Sequence, residues 1–207
     1  MAVHPTAIIE PGVSIGRNTS IWDNVHVRHS TTIGSNCIIG EKSYIAYGVA
    51  IKDFVKINAF VYVCTGVTIE RGVMIAAGVV FTNERFPRAT TPQLDRLQSS
   101  DPNEDTLHTL VREGATIGAR ATIGPGLTIG RFAMVGMGSV VTRDVPDFAI
   151  VHGNPARSVG FACACGHPLE SLAPTMEQPT AMRCQSCAAE YALYGSALRP
   201  LEIARSS

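Results

Sequence analysis

Aliphatic residues recur at every sixth position over most of this 207-residue chain. Steps of six from Val3 to Phe81 give fourteen positions, thirteen of them Ile or Val, and the same step resumes from Val111 to Val141. A second track of small or β-branched residues lies four positions after each aliphatic residue. A period of six is neither the roughly 3.6 of a helix nor the roughly 2 of an isolated strand. It predicts a solenoid in which three short strands form each coil, with both tracks pointing inward.

Glycine often follows the aliphatic residue, as at Gly16, Gly34, Gly118 and Gly136. We expect these glycines where the chain turns sharply, because glycine accepts conformations that other residues avoid. Twenty hexads form between six and seven coils, a prism on the order of 30 Å long at the usual strand spacing. The sequence therefore predicts an all-β fold, a parallel β-helix over residues 1–146.

The charge balance narrows the classes of function. Lys+Arg and Asp+Glu both number 17, so the formal net charge is zero, which argues against a broad nucleic-acid surface. No apolar run is long enough to cross a membrane. The amino terminus lacks the basic and apolar regions of a signal peptide, so we expect the protein in the cytoplasm.

Residues 82–110 lack the repeat, and the aliphatic track resumes thirty positions after Phe81, a whole number of hexads. We therefore expect an extruded loop with the coil register preserved beyond it. Loops of this length in a compact fold are usually functional. The alternative is a tolerated insertion at a corner.

Two close pairs of cysteines follow a connecting segment at 147–160. Cys163 and Cys165 form the first pair, and Cys184 and Cys187 form the second. Four thiolates at this spacing satisfy tetrahedral Zn²⁺ and leave no open position, so residues 161–207 are predicted to be a Cys₄ zinc-ribbon-like module with a structural metal. Disulfides would need an oxidising compartment, a redox pair would need a different fold, and His167 could replace one thiolate.

The two remaining cysteines lie in the repeat. Cys37 falls on the inward small track and is predicted to be core. Cys64 is expected at the surface.

Local motifs accompany the repeat in a fixed order. They are Ile21-Trp22, Val25–Arg28, Val80–Asn83 with Pro87-Arg88, Thr109–Ala119, Ala133–Pro146, Gly153–Arg157 and the terminal Cys-x-Cys-Gly. Repeat and motifs together, over about residues 1–160, resemble the hexapeptide-repeat acyltransferases, in particular the bacterial N-acetyltransferases of nucleotide-linked 3-amino sugars. The resemblance implies a left-handed β-helix, a homotrimer with sites between subunits, and acetyl-CoA or another acyl-CoA as co-substrate. Residues 90–108 depart from that family's pattern in length and sequence.

The implied reaction is attack of a neutral sugar amine on an acyl thioester, which requires alignment and a donor for the oxyanion. The thioester is already activated, so direct transfer needs no cysteine or serine nucleophile. In the resembling enzymes the residue that matches Asn83 contacts the reacting amine. An amide can orient the amine through its carbonyl but cannot act as a base. The alternative is a turn-forming asparagine.

His26 is the candidate general base, because histidine titrates near neutral pH. Counting in steps of eighteen places His26 below Tyr44, Tyr62 and Val80 on one outward ladder, so Tyr62 is predicted to contact the substrate. The ladder is either a substrate wall or a subunit contact. His29 falls in the column of Asn83, two coils below Thr65. That is too far for direct contact, so His29 is a weaker candidate for the base than His26. Proton loss to solvent or to the departing thiolate is the alternative to any base.

Arginine and small residues supply the predicted anion and coenzyme contacts. Arg88 suits a diphosphate or a sugar carboxylate, unless it is simply solvated. Gly136, Gly138 and Ser139 are small enough for a pantetheine arm to pass close to the backbone, unless they are ordinary corner residues. Arg157 would meet the phosphates or adenine of the coenzyme.

The sequence therefore predicts an acyl-CoA-dependent N-acyltransferase acting on a nucleotide-linked amino sugar. The first alternative is an O-acyltransferase, or an enzyme acting on another small amine; such relatives typically use a loop histidine. A β-helical carbonic anhydrase needs three histidines around its metal, and His26 and His29 lack a third. A non-enzymatic scaffold would explain the repeats and the cysteines but not the loop motifs.

Overall fold

A computed structural model describes residues 2–99, 101–171, 180–195 and 197–201. Within these ranges all regular secondary structure is β, and most strands are two residues long. Three sheets form the sides of a prism and a fourth lies at its carboxyl end. No helix capable of crossing a membrane occurs in the described ranges.

In the three sheets of the prism, neighbouring strands are three apart in chain order, except for the last two strands of the first sheet; the strands of the fourth sheet are consecutive. The first sheet contains β1 (Ala2–Val3), β4 (Ser20–Ile21), β7 (Ile38–Ile39), β10 (Lys56–Ile57), β13 (Met74–Ile75), β16 (Thr116–Ile117), β19 (Met134–Val135), β21 (Ala149–Gly153) and β22 (Ala156–Phe161). The second contains β2 (Ile8–Ile9), β5 (His26–Val27), β8 (Tyr44–Ile45), β11 (Tyr62–Val63), β14 (Val80–Phe81), β17 (Thr122–Ile123) and β20 (Val140–Val141). The third contains β3 (Ser14–Ile15), β6 (Thr32–Ile33), β9 (Ala50–Ile51), β12 (Val67–Ile69), β15 (Thr109–Val111) and β18 (Thr128–Ile129). The fourth contains β23 (Glu170–Ser171), β24 (Thr180–Arg183), β25 (Glu190–Tyr194) and β26 (Ala197–Pro200).

Neighbouring coils pair in parallel at a distance of eighteen residues, as the repeat predicts. Ile39 pairs with Ile57, and Ile45 pairs with Val63. The aliphatic track fills the interior, where Ile39, Ile45 and Ile57 are fully buried. Because each such side chain contributes about 1.5–3 kcal/mol when buried, the repeat itself supplies the core.

Small polar residues on the second track are also buried, and they bond to the backbone of the next corner. The hydroxyl of Thr19 donates to the Gly34 carbonyl at 2.7 Å, and that of Thr31 donates to the Ala46 carbonyl at 2.8 Å. These bonds remove the cost of burying an unpaired hydroxyl. Cys37 lies on the same track and is buried, as predicted.

The glycines that follow the aliphatic track do not make the turns, so that expectation was wrong. A Cβ atom on Gly34 would lie 2.6 Å from the backbone nitrogen of Asp53, and one on Gly136 would lie 2.7 Å from the Cβ atom of His152. These positions require glycine because the next coil passes close by. The left-handed corner conformation falls instead on a different track, which includes Gly48 with a φ of 69° and Asn18 with a φ of 57°.

The extended loop lies between β14 and β15 and leaves the coil register intact. Ile69 pairs with Val111, 42 residues later instead of eighteen. Inside the loop, isolated bridges join Glu84 to Thr106 and Thr90 to Leu97. The extruded loop predicted from the whole number of missing hexads is therefore confirmed.

The fourth sheet packs against the last coil through aromatic side chains. Phe132 and Phe148 stack with ring centroids 5.4 Å apart, and Phe148 meets the edge of Tyr191 at 5.6 Å. Cys163, Leu169 and other buried residues of the carboxyl segment belong to the same cluster. The end of the prism is thereby covered by apolar surface.

Candidate active site

A groove of about 520 Å³ runs between the second sheet and the extended loop. It brings together three residues singled out in the sequence, Tyr62, Asn83 and Arg88. The other lining residues are Arg28, Tyr44, Ala46, Tyr47, Cys64, Thr65, Glu84, Ala89, Leu97, Gln98 and Ser99. The lining combines aromatic rings, amides and arginines, which suits a polar ligand with ring systems and negative charge.

One wall of the groove is an aromatic ladder. His26 meets Tyr44 edge-on with centroids 5.4 Å apart, and Tyr44 stacks on Tyr62 at 5.5 Å with the rings 10° from parallel. The next residue in the column is Val80, which pairs with Tyr62. The ladder predicted by counting is therefore present. Because valine is shorter than tyrosine, the stack ends at Tyr62. Tyr62 is 44% exposed.

A second column lies beside the first and ends at Asn83. His29 stacks on Tyr47 with centroids 5.2 Å apart, and the Thr65 hydroxyl donates to the Tyr47 carbonyl at 3.0 Å. The Asn83 side-chain nitrogen donates to the Thr65 carbonyl at 3.3 Å. Within the described part of the chain, this leaves the Asn83 side-chain oxygen as the acceptor open to a ligand.

A carboxylate organises the base of both columns. Glu10 accepts a hydrogen bond from the His29 backbone at 2.9 Å and lies 2.9 Å from the His26 ring nitrogen Nε2. The Arg28 guanidinium lies against the same carboxylate and donates to the Tyr44 hydroxyl at 2.8 Å. The His29 backbone bond, with Arg28 next, lowers the pKa of Glu10 to about 2. Glu10 and the groove position of Arg28 were not predicted, although Glu10 lies one coil, eighteen residues, before Arg28.

His26 lies well below Asn83 in the same chain. It pairs with Tyr44, which pairs with Tyr62, which pairs with Val80 on the coil of Asn83. Three steps at the usual strand spacing amount to about 14 Å. His26 is not among the described residues that line the groove.

Cys64 forms part of the groove floor and is only 2% exposed, so the expectation of a surface cysteine was wrong. The column that follows the aliphatic track faces the neighbouring coil, and Ala46 in the same column is buried too. Burial raises the pKa of the Cys64 thiol to about 12. The thiol therefore stays protonated at neutral pH, and a protonated thiol is a poor nucleophile.

Arg88 is exposed and lines the groove where the loop begins. Its guanidinium donates to the Pro87 carbonyl at 3.1 Å. That bond uses one of five donors, so the fork can still bind an anion.

The residues predicted for the coenzyme lie on the last coils, far along the chain from the groove. Ser139 points inward and the whole residue is buried, so the prediction that it contacts the coenzyme was wrong. Gly136 is covered by His152. Gly138 has open space around its Cα, and Arg157 is exposed on β22 with a bond to the Ala156 carbonyl at 2.9 Å.

The four carboxyl-terminal cysteines converge. All four sulfur atoms lie within 4.8 Å of one another, and the Cys163–Cys187 and Cys165–Cys184 pairs are each 3.5 Å apart. Tetrahedral zinc with Zn–S bonds of about 2.3 Å holds sulfurs about 3.8 Å apart, so the donor set fits this metal. The Tyr191 hydroxyl lies 3.1 Å from the Cys163 sulfur and orients it from outside the cluster.

Comparison with known proteins identifies the repeat. The family described as bacterial transferase hexapeptide (six repeats) matches residues 12–47 and 48–83, and the hexapeptide repeat of succinyl-transferase matches 113–143. The dTDP-3-amino-3,6-dideoxy-alpha-D-galactopyranose 3-N-acetyltransferase of Aneurinibacillus thermoaerophilus is 43% identical over 170 residues, covering 82% of this chain and 83% of that protein.

The solved structures that the chain is similar to are more distant. WeeI from Acinetobacter baumannii AYE is 25% identical with a TM-score of 0.48, covering 77% of this chain and 58% of its own. The N-acyltransferase AntD from Bacillus cereus, in complex with dTDP and coenzyme A, is 21% identical with a TM-score of 0.44, covering 77% of this chain and 80% of its own. The chain thus spans less than two thirds of WeeI. From its repeats and its 43% identical relative, this chain belongs to the hexapeptide-repeat acyltransferases, and its prism is a parallel β-helix.

Proposed function

We propose that the protein is an acyl-CoA-dependent N-acetyltransferase that acts on the amino group of a nucleotide-linked amino sugar. The observation that carries the proposal is the groove, in which Asn83, Tyr62 and Arg88 meet. The relative with 43% identity carries the name of a dTDP-3-amino-sugar 3-N-acetyltransferase, and its match covers 82% of this chain. This reaction requires the cytoplasm, where acyl-CoA and nucleotide sugars are available.

Asn83 orients the attacking nitrogen. Its side-chain oxygen accepts an N–H of the neutral amine, which aims the nitrogen lone pair at the thioester carbonyl. The C–N bond forms first and gives a tetrahedral oxyanion. The C–S bond then breaks as the carbonyl re-forms, and the coenzyme leaves as a thiolate. The proton lost by the amine passes to a base, to solvent or to that thiolate. No cysteine takes part, in agreement with the raised pKa of Cys64.

The sugar ring packs on the exposed side of Tyr62. The ladder ends there, and Val80 on the next coil provides an apolar shelf on the coil of Asn83. A deoxysugar presents a methyl group that suits such a shelf. Arg88, at the start of the loop, binds the diphosphate.

His26 is proposed as general base across a subunit boundary. The distance of about 14 Å from Asn83 within one chain rules out direct transfer in that chain. The proposal therefore requires that another subunit of the predicted homotrimer supplies His26 to the site of Asn83. In this role His26→Ala lowers kcat by about 10²- to 10⁴-fold, whereas a loss below about tenfold assigns the proton to solvent or the thiolate.

The coenzyme lies along the last coils. Gly138 leaves room beside the backbone for the pantetheine arm, and Arg157 offers an exposed cation for the phosphates. Gly136 belongs to the same corner. Acetyl-CoA is the proposed acyl donor.

Four cysteines are proposed to bind structural zinc. Their sulfur atoms already stand at nearly tetrahedral distances, and four thiolates leave no position for a substrate. We assign residues 1–146 to the β-helix with its loop at 82–110, 147–160 to a connecting segment and 161–207 to the metal module. Much of 172–207 lies outside the described residues.

The proposal is tested by incubating the protein with acetyl-CoA and a panel of UDP- and dTDP-linked amino sugars while free thiol is measured. We expect thiol release with at least one 3-amino sugar and none with the matching 3-hydroxy sugar. Release with the hydroxy sugar would support the O-acyltransferase alternative. The absence of release with every amino sugar would contradict the proposal.

A further inference from the structure

A second cavity, of about 280 Å³, lies within the extended loop. We call it the loop cavity, and its lining residues are Glu84, Arg85, Phe86, Arg88, Gln98, Ser99, Asn103, Glu104, Asp105 and Leu107. Four of these, Glu84, Arg88, Gln98 and Ser99, also line the groove. The loop cavity is therefore adjacent to the groove, and Arg88 lines both.

The loop cavity offers the groups that bind a nucleoside. Phe86 is 85% exposed, so one large apolar ring is available to a planar base. The Asn103 side-chain oxygen accepts from the Asp105 backbone at 2.8 Å, and the Gln98 side-chain nitrogen donates to the Thr90 carbonyl at 3.1 Å. Among the described residues this leaves the Asn103 side-chain nitrogen as a donor and the Gln98 side-chain oxygen as an acceptor. The edge of a base requires both kinds of group.

The charged residues that line the loop cavity favour one orientation of a bound nucleotide. They are three carboxylates and two arginines, Glu84, Glu104, Asp105, Arg85 and Arg88. The carboxylates can accept hydrogen bonds from the hydroxyl groups of a ribose or deoxyribose. The cation at the junction, Arg88, suits a diphosphate. A nucleotide sugar laid through both spaces then places its sugar in the groove beside Asn83.

We propose that the loop cavity is the nucleoside site of this enzyme, with Phe86 stacking on the base and Arg88 binding the diphosphate at the entrance to the groove. The inference rests on the proposed function and extends it to residues 84–107. The loop sequence would then set the choice of nucleotide, while the coils set the choice of sugar.

The test measures binding of dTDP, UDP and inorganic pyrophosphate by calorimetry, without turnover. We expect Phe86→Ala to weaken the preferred nucleoside diphosphate by about tenfold or more and to leave pyrophosphate binding unchanged. Asn103→Ala should weaken the nucleotide by a smaller factor. Arg88→Ala should weaken both ligands.

Leu94→Ala is the matched control, because Leu94 is a 79% exposed apolar residue of the same loop that lines neither cavity. We expect less than a twofold change for this variant. Equal nucleotide affinity in wild type, Phe86→Ala and Asn103→Ala would overturn the inference even if the wild type acetylates a nucleotide sugar. The opposite result, nucleotide binding that depends on Phe86 without acetyl transfer, would overturn the proposed function and leave the nucleoside site standing.

Discussion

Replacing Gly40 by alanine should separate two coils of the prism. A Cβ atom at this position would lie 2.6 Å from the Asn58 carbonyl carbon and 2.7 Å from the Ala59 nitrogen. Both contacts are with backbone of the next coil, which is fixed by its own bonds to the coils on either side. Since neither partner is the end of a flexible side chain, the strain cannot be relieved by a change of rotamer.

The size of the effect follows from these contacts. Forcing one extra carbon into a close-packed site costs about 1–3 kcal/mol. For a chain of this length, 1 kcal/mol changes Tm by about 2–4 °C. We therefore expect Gly40→Ala to lower Tm by about 2–12 °C.

The control is Gly160→Ala, which makes the same chemical change on β22. A Cβ atom at Gly160 meets nothing within 4 Å, and its φ lies outside the left-handed region. Its Tm should stay within about 2 °C of the wild type. The measurement is thermal unfolding by far-ultraviolet circular dichroism at one protein concentration. Equal Tm values for Gly40→Ala and Gly160→Ala would refute the coil contact as the reason for glycine at this position.

Three further predictions concern the site and the metal. Asn83→Ala should lower kcat by about 10²-fold, because the amine loses its alignment, and should leave the KM for acetyl-CoA unchanged; steady-state kinetics check both, and an unchanged kcat would contradict the role. The lowered pKa of Glu10 means that its carboxylate stabilises the fold fully above its ordinary value of 4.5 and that this contribution is lost as the pH falls towards 2. Glu10→Gln should therefore flatten the fall of Tm across this window, and an unaltered pH profile would count against the network. Cys184→Ser should abolish stoichiometric zinc, measured by elemental analysis, and lower Tm; retention of zinc at wild-type level would contradict the four-thiolate site.

The coil could be predicted from the sequence because every hexad repeats the same pattern of residues and the same local structure. An inward aliphatic residue such as Ile57 and a small partner four residues later define one strand and one corner. Repetition then fixes the register between Tyr44 and Tyr62 without any long-range information. The ladder of His26, Tyr44 and Tyr62 followed from that register alone.

The assignments that were wrong for the glycines and for Cys64 share one physical cause. The position after the aliphatic residue faces the backbone of the next coil, which the repeat shows only as a preference for small residues. Glycine there was interpreted as a turn residue, although Gly34 and Gly136 are required by close approach. Cys64 occupies an equivalent position. It is buried against the next coil for the same reason, although a surface position was expected.

The position of the loop could be predicted from the sequence, but its conformation could not. Residues 82–108 have no repeat from which to count, so nothing in the pattern places Phe86 and Asn103 around one cavity. Glu10 was missed for a different reason. Glu10 lies eighteen residues before Arg28, so counting places these opposite charges on neighbouring coils. The contacts of Glu10 with the His26 ring and the His29 backbone cross between columns and do not follow from that count.

The central claim is that an amino sugar is acetylated beside Asn83 in the groove. A crystal structure with coenzyme A and a dTDP- or UDP-linked amino sugar tests it most directly. We predict that the sugar nitrogen lies at hydrogen-bond distance, about 2.6–3.2 Å, from the Asn83 side-chain oxygen, with the sugar ring on Tyr62. A sugar nitrogen bound away from Asn83, with the groove empty, would contradict the account.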